Sequence, residues 1–396
     1  MHHAYQILKD QGYPAEQIIL MSYDDIANNR SNPFPGQIFN APNGDNVYFA
    51  DDIDYSGTAV NKDTFQAVLK GDKATAGGPV LESDSNSRVF VYFADHGGVD
   101  LICMPTGSYL YADELNDTLQ FMHDNNMYKE LVFYMEACES GSMFPDLTSK
   151  EGIYAMTATN ATTSSWGTYC GTSAVVQGKN LGTCLGDLFS VNWMEDTEAN
   201  NPTTETLQTQ HDNVVATTTK SPVQKFGDFD FMSEPIGDFE GILTPNGSKK
   251  SFGSTLKKYA HEFKSKLLGA STQNHHIKEL SSVDSRDIAL HTLSHNAQMD
   301  WSHESKELLT QEIENRSWWD TLFVTHFEEH LEGMNADVTV KDHEKYRFLV
   351  ESVETLCGRL SDYSLKYTRQ IAMASENLSD DQIATIMGKL ANHCTQ

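Results

Sequence analysis

Two uninterrupted apolar runs, Val89 to Ala94 and Leu131 to Met135, constrain this chain more than any other feature. Such runs fit strands buried on both faces of a parallel sheet. Between them, Leu115, Leu119 and Met122 share one face of a helix predicted from Asp113 to Met127. Strand, helix, strand in that order is a βαβ unit, which sets the two strands parallel and close together. Further strands are predicted at Ile18 to Ser22 and Ile153 to Thr157, and a surface loop from Asn32 to Asp45, where Pro, Gly and Asn cluster. The fold class is α/β, a parallel sheet flanked by helices.

The strand pattern ends near Pro245. From about Glu304 apolar residues recur at helical spacing: Leu308, Leu309 and Ile313, then Leu322, Phe323, Phe327 and Leu331, then Phe348, Leu349, Val353 and Leu356. The expected organisation is an α/β domain over 1–245, a connector over 246–302 and an all-helical C-terminal domain over 303–396. The formal charge of −28 repels phosphate backbones, so nucleic acid is not expected as a partner. No apolar run reaches the roughly 20 residues of a membrane helix, so no membrane association is expected either.

The chemistry concentrates at two strand ends. Ala94-Asp-His-Gly97 follows the first apolar run, and Glu136-Ala-Cys-Glu-Ser-Gly141 follows the second. Sites in open parallel sheets form beyond the carboxyl ends of the strands. Taken singly, Cys138 reads as a small buried hydrophobe and His96 as a hydrogen-bonded surface residue. Side by side, they fit a nucleophile and its base. A free thiol titrates near pH 8.5, so at acidic pH it needs a neighbouring imidazolium to become thiolate. The imidazole then returns the proton to the leaving amine. Backbone N–H groups of Gly97 and Cys138 lie where an acyl oxyanion would need donors.

Tyr134-Met-Glu-Ala-Cys-Glu-Ser-Gly-Ser142 resembles the nucleophile motif of the legumain family of cysteine endopeptidases. Similar stretches are Tyr23-Asp-Asp-Ile26, Phe93-Ala-Asp-His-Gly97, Ser165-Trp-Gly-Thr-Tyr-Cys170, Cys184-Leu-Gly-Asp-Leu188 and Ser190-Val-Asn-Trp-Met-Glu-Asp196. The resemblance implies a caspase-like sheet and hydrolysis after Asn, more slowly after Asp, through a thioester on Cys138 with His96 as base and acid. It implies a pocket for the residue before the scissile bond built by Glu136 and Asp187, with Ser164 and Ser165 lining the cleft. Asp95 matches a family residue able to cyclise. The resemblance further implies a Cys170–Cys184 disulfide, as in plant-type members, and a vacuolar, lysosomal or secretory location. The expected partners are peptide and protein substrates and the chain's own C-terminal prodomain, which covers the cleft until acidification. No cofactor or metal is expected. Gly167 falls where the family tunes hydrolysis against ligation, and its small size points to hydrolysis.

Departures from the family qualify this. Members begin with a further strand and a loop whose Arg completes the pocket, whereas this chain opens within the following helix, at His3 to Leu8. No signal peptide opens it, so the protein is either intracellular or incomplete at its N-terminus, although six sequons (Asn29, Asn116, Asn160, Asn246, Asn315, Asn377) would permit glycosylation. An unpaired sheet edge and two uncompensated carboxylates are the expected consequence, with poor folding and weak cleavage. The alternative is a catalytically impaired homologue serving as a binding module. Cys357 and Cys394 could bridge, Cys103 reads as a buried thiol, and Asn274 or Asn296 are candidate self-cleavage sites. His326-Phe-Glu-Glu-His330 matches a zinc-peptidase pattern but has no evident third ligand. The neighbouring His275 and His276 read as solvated.

Overall fold

The computed structural model describes residues 1–147, 151–241, 277–299 and 302–394. A central sheet is built from β1 (Arg88–Ala94), β2 (Glu130–Glu136), β3 (Ile153–Thr157) and β6 (Gln224–Gly227), in the order β1-β2-β3-β6. The first three strands are parallel and β6 is antiparallel to β3. Between β1 and β2 the chain forms helix α1 (Ala112–Asp124). Strand β2 is buried along its whole length. Its Leu131, Phe133 and Met135 pack with Leu115, Leu119 and Met122 of α1. Its Val132 and Tyr134 face the other way, onto Phe189, Trp193 and Met194 of α2 (Leu188–Ala199). The period of two in a strand thus feeds two cores, one on each face. Each such large apolar side chain contributes about 1.5–3 kcal/mol on burial.

Two strand predictions need correction. Strand β1 is buried on alternate residues only, because it lies at the sheet edge. Ile18 to Ser22 forms no strand, only a bridge between Met21 and Tyr55. Its backbone bonds to Asp54 and Tyr55 on one side. On the other side a groove of about 1350 Å³ separates it from β1, lined by Leu20, Met21, Val89, Val91 and Phe93 among others. Without a ladder partner an extended apolar segment gains no strand. The groove is one unpaired edge facing another.

A second, smaller antiparallel sheet carries β4 (Trp166–Cys170) between β5 (Cys184–Asp187) and β7 (Val283–Asp284). A Cys170–Cys184 disulfide closes the β4–β5 pair. Strand β7 departs from the sequence reading, which ends the strand pattern near Pro245. It leads into α3 (Ile288–Met299), whose His291 and His295 abut Gly171 and Gly182. Asn296 therefore sits inside a helix, whereas Asn274, His275 and His276 lie outside the described residues.

The C-terminal region is helical: α4 (His303–Phe323), α5 (His343–Cys357), α6 (Thr368–Asn377) and α7 (Asp380–Cys394). Trp319, Phe323, Phe327, Leu349, Val353 and Ile371 form its core together with Val99, Leu101, Tyr109 and Tyr111 of the hairpin after β1. Helical and α/β units therefore share one hydrophobic interior. The predicted apolar face is wrong at Leu308, Ile313 and Phe348, which are exposed. The packed stripe of α4 begins only at Arg316 and Trp319, and that of α5 runs through Tyr346, Leu349, Val350 and Val353. A disulfide joins Cys357 to Cys394. A π-turn at Val324–Glu328 distorts the His326/His330 spacing, and His326 bonds to His393 at 3.0 Å instead. Among the described residues no group of three metal-binding side chains occurs.

Candidate functional site

The parallel register of β1 and β2 pairs Ala94 with Glu136. His96 and Cys138 therefore each stand two residues beyond the same rung of the ladder. The backbones that carry them touch. A Cβ at Gly97 would lie 2.5 Å from the Cys138 carbonyl oxygen and 3.0 Å from the Ala137 Cβ, so only glycine fits there. Ser142 ties the two loops together: its Oγ donates to the Glu139 carbonyl at 2.7 Å and accepts the Asp100 N–H at 2.8 Å.

The thiol and the imidazole have other partners in this closed arrangement. The Cys138 Sγ accepts the Ser165 N–H at 3.3 Å and lies 3.6 Å from the Ser165 Oγ. Burial pushes this thiol up to about 11; Arg286 opposes the shift and Glu139 adds to it. The His96 Nε2 lies 3.4 Å from an oxygen of Asp362, in the helical unit. Asp95, whose side chain accepts the His96 N–H at 2.7 Å, is raised to about 6 by burial, against the pull of His96.

Glu136 is buried at the end of β2. Its Oε2 accepts the Ser190 N–H at 2.9 Å and the Ser190 O–H at 2.8 Å. Burial first, and the neighbouring Asp187 second, hold its carboxyl well above the usual carboxylate range. Asp187 is raised as well, by burial, with His96 opposing. Ser164 is partly buried beside Ser165. Glu136, Asp187, Ser165, Cys138 and His96 are thus gathered at one end of the sheet.

Sequence reasoning missed what lies across this cleft. Strand β7 pairs antiparallel with β4, Val283 opposite Gly167 and Asp284 opposite Trp166. The Ser285 N–H then donates to the Ser165 carbonyl at 3.0 Å, and the two hydroxyls are 3.0 Å apart. Arg286 is buried, ion-paired with Glu139, and donates to the Gly97 carbonyl at 3.3 Å. Arg369 of α6 lies 3.9 Å from the same carboxylate. A two-residue strand has no period to detect, and Arg286 stands among acidic neighbours like any solvated ion pair. Gly167 is pressed from the same side, since a Cβ there would meet Ile288 at 2.6 Å. Cys103, read from the sequence as a buried thiol, is free and only partly buried; its N–H donates to the His96 carbonyl at 2.8 Å, at the edge of the site.

A sequence model of the Peptidase C13 family matches residues 1–293. The chain is 36% identical over 397 residues to a vacuolar-processing enzyme of Vicia sativa, across 93% of this chain and 77% of that one. It is 42% identical over 310 residues to a hemoglobinase of Schistosoma mansoni, across 78% and 65%. With legumain of Rattus norvegicus the identity is 42% over 244 residues, across 61% and 54%.

Proposed function

Because the chain belongs to the Peptidase C13 family of cysteine endopeptidases, we propose that it cleaves peptide bonds after Asn, more slowly after Asp, and is made as a zymogen. One observation carries this reading: His96 and Cys138 leave parallel strands from the same rung, with Gly97 and Cys138 in backbone contact. In the open form His96 takes the Cys138 proton, and the thiolate attacks the scissile carbonyl to give a thioester. His96 then protonates the leaving amine and activates the water that hydrolyses the thioester. Backbone N–H groups of Gly97 and Cys138 receive the oxyanion. Glu136 and Asp187 receive the carboxamide before the scissile bond, with Ser164 and Ser165 along the cleft. The relatives' names and the two disulfides support a vacuolar or lysosomal destination through an oxidising compartment.

The helical unit is the inhibitor in this reading. Asp362 engages the imidazole, β7 lies along β4 as a substrate strand would, and Arg286 and Arg369 hold Glu139. Burial raises Glu139 to about 7 even while both arginines pull it down.

Peptides differing only in the residue before the scissile bond test the specificity. After incubation of the chain at acidic pH, Asn is expected to be cut fastest, Asp about tenfold or more slower, and Gln and Ala hardly at all. Equal cutting of all four contradicts the reading. The strand itself offers a second test. Ser285 directly follows β7 and bonds to Ser165, whose own N–H donates to the Cys138 Sγ. Ser285→Asn is expected to turn this strand into a substrate, and mass mapping at acidic pH should find a new cut between positions 285 and 286. If that bond stays intact in the variant after activation elsewhere, β7 does not lie in a substrate's register.

A further inference from the structure

The two oxygens of Glu136 are treated differently by the protein. Oε2 takes both donors that Ser190 has, the N–H at 2.9 Å and the O–H at 2.8 Å. With its proton committed there, the Ser190 Oγ can meet Tyr92 only as an acceptor, and the Tyr92 O–H donates to it at 2.7 Å. The relay runs from Tyr92 on β1, through Ser190 in the first turn of α2, to Glu136 at the end of β2. Tyr92 is itself fixed edge-on against Trp193, with ring centroids 5.1 Å apart. Oε1, by contrast, is buried and makes no close hydrogen bond, although the Ser165 hydroxyl stands near enough to the carboxyl to help lower it. Buried acceptors are almost always satisfied, and one left open beside a reactive cysteine marks a place where a donor arrives from outside.

We propose that Ser190 and Tyr92 are positioning residues for recognition of the residue before the scissile bond: they pin Oε2 so that Oε1 alone faces the cleft and accepts an N–H from a carboxamide side chain. This rests on the reading above that Glu136 lines the substrate pocket. The chemistry explains a preference for Asn over Asp. A carboxamide brings the missing donor, whereas an ionised carboxylate brings none and meets two acidic neighbours, Glu136 and Asp187. A carboxyl free to turn would present either oxygen, and the distinction would blur.

The test compares Ser190→Ala and Tyr92→Phe with the unaltered full chain, after acid incubation, on matched Asn and Asp peptides. Active sites are counted by titration with a thiol electrophile, so that rates are per competent site. Ser190→Ala is expected to cut kcat/KM for the Asn peptide about tenfold, chiefly through KM, the size of one buried hydrogen bond. The Asp peptide should change much less, so the Asn-to-Asp ratio falls. Tyr92→Phe, which leaves the pocket untouched, should move the ratio the same way by about threefold, as one bond farther out in a hydrogen-bonded chain. A lower count of sites with an unchanged ratio in both variants overturns the inference and leaves the pair a purely structural role. If the unaltered chain does not cut after Asn at all, the underlying reading fails instead.

Discussion

Replacing Cys138 by alanine is expected to abolish cleavage after Asn, a loss of about 10⁴-fold or more, with His96→Ala costing nearly as much. The double variant should be no worse than either single one, because a nucleophile and its base act as a unit. The fold gives no reason for collapse. Cys138 is buried and touches Ser165 through its sulfur, so alanine removes one weakly bonded atom. His96 is partly exposed at the junction of the two units. Thermal unfolding of both variants should therefore stay near that of the parent while turnover vanishes. Losses that multiply in the double variant would mean that the two residues work separately.

The second large effect concerns pH and stability. Glu240, Glu205 and Asp196 meet behind the sheet, away from the cleft. The Thr197 O–H donates to Glu240 at 2.6 Å, while Asn200 and Asn213 each donate to both Asp196 and Glu205. Asp196 and Glu205 also bond to one another, as two carboxyls can when one keeps its proton, and Gln210 adds a bond to Glu240. Burial raises Glu240 to about 8, and burial with the nearby Asp196 raises Glu205 to about 9. Both folded values stand above the ordinary one near 4.5. The stability these groups confer is thus complete below about pH 4.5 and is lost as pH rises through 8 to 9. The chain should unfold at progressively lower temperature from pH 5 to pH 8. Glu240→Gln, which keeps the shape and removes the charge, should flatten that slope. It should gain on the order of a few kcal/mol at pH 8, since each tenfold change in proton affinity is worth about 1.4 kcal/mol. An unchanged slope would show that Glu240 is ionised in the folded chain at neutral pH without cost.

The parts of this architecture that can be read in the sequence are those with a period or a motif. The βαβ unit is legible because β2 is apolar along its length and α1 repeats Leu115, Leu119 and Met122 on one face. The strand ends bearing Asp95-His96-Gly97 and Glu136-Ala137-Cys138 follow from that unit. What escapes depends on partners distant in the chain. Ile18 to Ser22 has the composition of a strand but only a single bridge to Tyr55, and β7 has a neighbour but only two residues. Arg286, Asp362 and Arg369 reach the cleft from more than 140 residues away, and ordinary charged side chains announce no such destination. The Tyr92–Ser190 relay is invisible for the same reason. Leu308 and Ile313 show the opposite error, apolar spacing without burial.

Everything chemical here depends on one thiol being activated by one imidazole once the helical unit moves aside. The chain supplies its own control, because Cys103 and Cys138 are the two cysteines outside disulfides and both lie near the site. The direct measurement is the mass of the acid-incubated chain after reaction with an Asn-bearing peptide that carries a thiol-reactive group. A single adduct on Cys138, absent in His96→Ala and leaving Cys103 free, is the predicted outcome. Labelling of Cys103 instead, or equal labelling of Cys138 without the imidazole, would contradict the account.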